Sequence, residues 1–230
     1  MKKFLKVVFL LLLIPLFISI YFLVDGYSDY KKAINKMSAE ELLEKVKVKD
    51  NYTSFDEIPK MHINAVIAVE DHRFYKHYGI DLIAILRAIK HDIEARDFVE
   101  GGSTISQQVA KNNYFTQDKT IKRKIAEMFM AFNLEKNLSK DEILELYLNT
   151  SYFGSGYSTI KEASIGYFSK EPKDMTDSES IMLAGVLNAP SAYAPNKNLA
   201  LARQREKQVI KKLIKYKYLT TNEAKQILKN

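Results

Sequence analysis

Apolar residues recur along this chain at helical spacing. Leu82, Leu86, Ile89 and Ile93, widened by Ile83 and Ile85, line one side of a helix. Ile121, Ile125, Met128, Phe129 and Phe132 form a second stripe of the same period. Start signals punctuate the pattern. Thr104-x-x-Gln107, Ser139-x-x-Glu142, Thr176-x-x-Glu179 and Thr220-x-x-Glu223 all fit a capping box, in which side chains satisfy the free N–H groups of a first turn. No clean alternating run bounded by hairpin turns stands out, and there is no internal repeat. The pattern predicts an all-α soluble part with roughly eight to ten helices.

The N-terminus differs from the rest. Val7 to Val24 is a run of 18 uncharged residues, mostly Leu, Ile, Val and Phe. As a helix it would span about 27 Å, close to the hydrocarbon thickness of a bilayer. Pro15 sits mid-run, which a membrane helix tolerates better than a soluble one. Lys2, Lys3 and Lys6 precede the run and Asp25 follows it, so the expected orientation leaves the N-terminus in the cytoplasm and residues 25–230 outside. A cleaved signal peptide fits less well: the run is long, and Leu23-Val-Asp-Gly-Tyr27 offers no small-x-small cleavage site. The expected organisation is a cytoplasmic tail (1–6), a transmembrane anchor (7–24), a stalk or entry segment (25–54) and one domain (55–230).

Composition narrows the chemistry. At 47% hydrophobic and 27% charged the chain is globular. It has no cysteine, which excludes disulfides, thiolate metal sites and a cysteine nucleophile. The net charge of +7 is uneven: residues 197–230 carry ten Lys/Arg and two acids, whereas residues 25–196 carry 22 Lys/Arg and 26 acids. The basic tail suits either anionic lipid headgroups or a solvated helical face. Nucleic acid is not an expected partner, because the anchor places the domain outside the cytoplasm.

Three groups could do chemistry. Glu70 ends the apolar run Ala65-Val-Ile-Ala-Val69, so its carboxylate is expected at the edge of a core, where a raised pKa suits a general base or acid. Arg73, Phe74 and His77 follow within two turns. The segment Gly101-Gly-Ser-Thr-Ile-Ser-Gln-Gln-Val-Ala-Lys-Asn112 is dense in polar groups. Its glycines allow close backbone approach, and the helix start near Thr104 is expected to offer free N–H groups to an anion. Gln107, Gln108 and Lys111 share one side of that helix. The spacing is not that of a nucleotide-binding P-loop. Arg123 and Glu127, one turn apart among Lys119, Lys122 and Lys124, are expected opposite the Ile121–Phe132 stripe. They form either a surface salt bridge or a second carboxylate beside phosphate-binding cations.

Other patterns carry less. Ser158-Thr-Ile-Lys161 and Ser28-Asp-Tyr-Lys31 match the S-x-x-K of penicillin-binding transpeptidases, but no K-T-G follows. The four histidines show no H-E-x-x-H pairing that would suggest zinc.

Five blocks in order resemble the peptidoglycan glycosyltransferases, specifically the monofunctional, membrane-anchored type. They are Glu70-Asp71-x-x-Phe74-x-x-His77-x-Gly79; Gly101-Gly-Ser-Thr-Ile-x-Gln-Gln-x-x-Lys-Asn112; Arg123-Lys-x-x-Glu127; Ile143-Leu-Glu-x-Tyr-Leu-Asn149 with Tyr152-Phe-Gly154; and Glu179-x-x-x-Leu-Ala-Gly185 with Ala189-Pro190 and Tyr193-x-Pro195. The resemblance covers about residues 55–196. It implies a lysozyme-like, two-lobed helical domain with a cleft facing the membrane, in which lipid II is polymerised into β-1,4 glycan strands. The growing strand, held by its undecaprenyl pyrophosphate, is the donor and lipid II the acceptor. The resemblance makes Glu70 the catalytic base, and Glu127 the second important glutamate, orienting cations or a divalent metal. Lys111 would lie near the pyrophosphate, with Arg73, Lys119, Arg123 and Lys124 as further candidates. Asp71, Phe74, Ser103, Thr104, Gln107, Gln108 and Asn112 would complete the substrate site. Mg²⁺ or Mn²⁺ near the pyrophosphate is compatible with this, with no metal ligand identified, and no organic cofactor is implied. Residues 80–99 become a candidate membrane-interfacial region, with a plain core helix as the alternative. Other cell-wall synthesis or division proteins are candidate partners. Two departures stand out: Lys119 where several relatives have Arg, and Thr159 where many have Gly. Competing readings are a lysozyme-like enzyme that cleaves glycan and an inactive scaffold. The basic, amide-rich blocks argue against the first, and the presence of Glu70 with its cations against the second.

Overall fold

The computed structural model describes residues 2–95, 101–116 and 118–229, without the side chains of 2–12, 89, 92 and 95. Within them lie twelve α-helices: α1 (Lys2–Ile34), α2 (Ala39–Lys47), α3 (Lys60–Glu70), α4 (Leu82–Ala95), α5 (Ile105–Tyr114), α6 (Ile121–Asn137), α7 (Lys140–Thr150), α8 (Ile160–Phe168), α9 (Asp177–Val186), α10 (Pro190–Tyr193), α11 (Leu199–Lys215) and α12 (Thr221–Ile227). Among the described residues there are no β-strands, only isolated bridges at Tyr78/Ile80 and Gly154/Tyr157. All four capping boxes read from the sequence form, opening α5, α7, α9 and α12. A fifth, Ser38 with Glu41, opens α2. Thr159 is also a helix cap. Its hydroxyl accepts from the Glu162 amide at the start of α8, which a glycine could not do.

Two packing groups meet around the core. Helices α3, α9 and α11 pack on one another, while α5 packs against both α6 and α7. The segment 25–54, expected to be a stalk or entry segment, contributes to this core. Its first ten residues continue α1, and α2 buries Ala39, Leu42, Leu43 and Val46 against α6 and α7. Each such Leu or Val stabilises the fold by about 1.5–3 kcal/mol when fully buried. Four apolar positions in a nine-residue polar stretch give too weak a signal to read as core.

The apolar stripe on α6 does not face the core. The face turned to the core carries Ala126, Glu127, Met130, Ala131 and Leu134. The face with Ile125 and Phe129 meets α1 instead. Tyr27 packs edge-on against Phe129 at 5.1 Å between ring centres, and a Cβ on Gly26 would lie only 2.6 Å from Ile125 Cγ2. Lys122 reaches across to Asp25 and Asp29, both at 3.0 Å. Burial opposes the shift, yet the Lys122 and Lys32 ammonium groups hold the Asp29 carboxyl below its ordinary value. A third of the apolar run 7–24, residues 7–12, lies among residues whose side chains are not described. Among the described residues no helix is long and apolar enough to cross a membrane.

Helix α4 stands apart from the core. Asp81 opens it by accepting from the Ile83 and Ala84 amides at 2.9 and 3.1 Å. Leu82, Ile83, Leu86 and Ile93 are all more than half exposed. Ala88 of the same helix is buried, so one side of α4 meets the fold while these four residues face outward; residues 96–99 of the candidate interfacial region lie outside those described.

Candidate active site

A cleft of about 470 Å³ opens between the two packing groups. Glu70, the last residue of α3, stands on one side. Gln108 and Lys111 project from α5, and Arg123, Lys124 and Glu127 from α6. Arg205 and Lys212 come from α11, and Ser103 from the segment before α5.

Glu70 is only partly exposed. Burial pushes its carboxyl above the usual glutamate range, against the opposing pull of the Gln108 amide, Arg205 and Lys212. Gln108 Nε2 donates to Glu70 Oε2 at 3.0 Å. A carboxyl with a raised pKa in such a place suits a general base or acid.

The cations across the cleft are organised by Glu127, which is 1% exposed. One oxygen lies 3.0 Å from Arg123 Nε and the other accepts from Lys124 Nζ at 3.1 Å. Lys124 also donates to Ser103 Oγ at 2.6 Å, tying α6 to the polar segment. The buried face of α6 thus includes a carboxylate that holds two cations toward open space. Lys111 has no ion-pair partner among the described residues, so its charge is available to a ligand.

The polar segment works differently from the expectation. The start of α5 is not an open anion cradle, because three of its N–H groups are taken. The Thr104 amide donates to Gln107 Oε1, the Gln107 amide to Thr104 Oγ1, and the Ile105 amide to Asp71 Oδ2 at 3.1 Å. Gly102 serves a close approach to α4, where a Cβ would lie 3.3 Å from Ile85 Cα. Positive charge in the cleft therefore comes from side chains.

Eight of the fourteen residues read from the sequence line the cleft: Glu70, Ser103, Gln107, Gln108, Lys111, Arg123, Lys124 and Glu127. Six do not. Asp71 is buried, 2.8 Å from His77 Nε2, and anchors α5 through Ile105. Phe74 is fully buried beneath the Lys140 ammonium, and Thr104 is buried as the helix cap, its hydroxyl donating to Gly79 O at 2.7 Å. Arg73 turns to Asp81, 3.0 Å from Oδ2. Asn112 and Lys119 are exposed away from the cleft. A motif shared with a family thus mixes residues that face the site with residues that build it.

Sequence reading misses part of the wall. His72, Asn188, Arg205, Lys212 and Tyr216 line the cleft, as does Arg87 of α4. Tyr216 stacks on His72 with ring centres 4.3 Å apart, and Arg87 NH1 lies 3.4 Å from His72 Nε2. Burial and then the Arg87 charge hold the His72 imidazole below its ordinary pKa. The one available signal is the basic tail: Arg205 and Lys212 are two turns apart on one side of α11.

Among the described residues no three His, Asp or Glu side chains gather where they could hold a metal ion. Glu127 is already engaged by Arg123 and Lys124. Among the described residues the cleft therefore shows no ready cage for Mg²⁺ or Mn²⁺. Its chemistry is one carboxylate facing an array of cations, which suits an acceptor hydroxyl beside an oxygen-rich anion.

The profile of the transglycosylase family matches residues 36–214. Penicillin-binding protein 1F of Bacillus subtilis (strain 168) is 44% identical over 215 residues, covering 90% of this chain and 30% of the relative. Penicillin-binding protein 1A of Neisseria lactamica is 41% identical over 177 residues, 77% of this chain and 22% of the relative. Penicillin-binding protein 2D of Bacillus subtilis (strain 168) is 42% identical over 167 residues, 73% of this chain and 24% of the relative. The chain spans less than a third of the length of these curated relatives.

Proposed function

The chain belongs to the transglycosylase family, and we propose that it is a peptidoglycan glycosyltransferase that polymerises lipid II. The observation that carries this reading is the pairing of Glu70, its carboxyl raised by burial, with the cation array of Lys111, Arg123 and Lys124 in one cleft. A neutral glycan would need no such array. A donor leaving as a pyrophosphate does, because its departing charge must be neutralised.

The residues divide the work as follows. Glu70 takes the proton of the acceptor 4-hydroxyl as that oxygen attacks C1 of the donor sugar. The bond from C1 to the pyrophosphate oxygen breaks on the opposite face, so an α-linked donor gives a β-1,4 product. The electron pair leaves with undecaprenyl pyrophosphate, whose charge Lys111, Arg123 and Lys124 meet. Arg205 and Lys212, close enough to Glu70 to lower its pKa, suit the pyrophosphate that the acceptor lipid itself carries. No second carboxylic acid is required, since the leaving group is already a weak base.

The lysozyme-like, two-lobed arrangement belongs to the same reading, as does a cleft turned to the bilayer. The exposed apolar side of α4, with Arg87, Lys90 and His91 on the same helix, supports an interfacial placement. The uncharged run 7–24 behind Lys2, Lys3 and Lys6 supports a single-pass anchor with the catalytic domain outside.

The test is polymer formation from purified lipid II. Glu70→Gln should keep the fold and abolish polymer, and retained activity would remove Glu70 from the mechanism. Release of soluble fragments from purified peptidoglycan would favour a cleaving enzyme instead.

A further inference from the structure

We infer that Tyr147 is a positioning residue that fixes the proton-accepting state of Glu70 through Gln108. Tyr147 lies on α7, 2% exposed, and does not line the cleft. Its hydroxyl donates to Gln108 Oε1 at 3.2 Å, and Gln108 Nε2 donates to Glu70 Oε2 at 3.0 Å. The three groups form a single line from the core behind α5 to the carboxylate in the cleft.

The direction of that line follows from donor and acceptor counts. An ionised carboxylate only accepts, so Gln108 must turn its NH2 group toward Glu70. Its carbonyl oxygen then faces Tyr147, which must donate. Tyr147 can always do so, because burial and the Glu70 charge both push its hydroxyl pKa well above the ordinary value. With Glu70 protonated, the amide is free to turn over: its oxygen can accept from the carboxylic acid and its NH2 can donate to the phenol. The amide of Gln108 therefore has two orientations, and in the observed one the Tyr147 hydroxyl, by donating to the carbonyl oxygen, polarises the amide whose NH2 group donates to the base form. Burial raises the Glu70 pKa, and the Gln108 hydrogen bond in this line limits the rise.

This assignment rests on Glu70 being the base, and the experiment separates the two. Initial rates of lipid II polymerisation are measured across pH for the full chain in detergent, with folding checked by thermal unfolding. Tyr147→Phe keeps the ring and removes the donor. The expected result is an acid limb moved up by ~0.5–1 pH unit, the size of one hydrogen bond, with KM for lipid II unchanged. Gln108→Met should move the limb the same way, and adding Tyr147→Phe to it should move it no further. An unmoved acid limb in a folded Tyr147→Phe protein, beside an inactive Glu70→Gln, overturns the role of Tyr147 alone. An active Glu70→Gln overturns the base reading and this inference together. If Tyr147→Phe unfolds, the wild-type protein decides by NMR. The Tyr147 ring Cζ and the Gln108 side-chain amide should titrate together with the acid limb; a Tyr147 signal that ignores that titration overturns the inference.

Discussion

Lys124 and Glu127, three residues apart on α6, meet at 3.1 Å while the same ammonium donates to Ser103 across the segment boundary at 2.6 Å. Glu127 thus acts on the cleft through the cations it holds. Glu127→Gln should leave Arg123 and Lys124 without their counter-charge and free to turn to solvent. Polymerisation should drop by about 10²-fold or more, the scale for losing one preorganised electrostatic contact. Stability should fall by only about 1–3 kcal/mol, because both cations can reach water. Rates with lipid II and urea unfolding of the same preparation measure the two effects. A variant that polymerises normally would show that the clamp does not matter to the chemistry.

Lys111 makes the opposite prediction about stability. It has no ion-pair partner to lose among the described residues, so Lys111→Met should change unfolding free energy by no more than about 0.5 kcal/mol. Activity should nevertheless fall by about 10²-fold if the ammonium meets the departing pyrophosphate. A loss of stability as large as that of Glu127→Gln would instead give Lys111 a structural role.

The helices are legible in the sequence where their signals are local. All four capping boxes form, because Thr104, Ser139, Thr176 and Thr220 need only a residue three positions on. Legibility fails where a residue's partner is distant in sequence. Asp71 has the look of a substrate group, yet the Ile105 amide, 34 positions later, takes its oxygen. Asn149 belongs to a recognised block, yet its amide is spent on both backbone groups of Thr53, at 2.9 Å each. The stripe Ile125–Phe129 is covered by α1, which its pattern does not reveal, since periodicity says that a face is covered but not by what. Arg205 and Lys212 are hidden among ten basic residues whose excess resembles a solvated tail.

With Glu70 as the proposed base, the pH dependence of catalysis follows from its environment. Its raised carboxyl pKa means that the protonated, inactive form accumulates at a higher pH than for an ordinary glutamate. The acid limb of kcat/KM should therefore lie above the usual carboxylate range, with activity rising as pH increases through it. The same shift disfavours the ionised form in the folded state, so stability declines as pH rises from the ordinary glutamate value through the folded one. Glu70→Gln should accordingly be no less stable than wild type at pH 8. An acid limb at the pKa of a free glutamate would remove burial as the controlling influence.

The contact between α1 and α6 can be tested at Gly26. A Cβ there would meet Ile125 Cβ at 2.7 Å and the Lys122 carbonyl at 2.9 Å, and the second is backbone that cannot turn away. Gly26→Val should force the helices apart and separate Lys122 from Asp25 and Asp29. Trypsin should then cut at Lys31 or Lys32 on the order of tenfold faster, reporting a local opening easier by about 1.4 kcal/mol. Unchanged cleavage would mean that the two helices are not held together by this approach.

His62 predicts a distinct acid sensitivity of the fold. It is fully buried between α3 and α9, with Nδ1 2.9 Å from the Ser180 carbonyl and Nε2 without a partner. Burial lowers its pKa from 6.5 to about 4, the hydrogen bond to Ser180 opposing only in part. The unfolded chain therefore binds this proton at a higher pH than the folded one does. Stability from this residue is fully present above pH 6.5, falls as pH drops, and is lost below pH 4, a total on the order of 3 kcal/mol. His62→Gln retains an amide for Ser180 and has no proton to gain. Urea midpoints of the two proteins should differ most near pH 7.5 and converge or cross as pH falls from 6.5 to 4. A difference that stays constant over that window would mean that His62 does not titrate on unfolding.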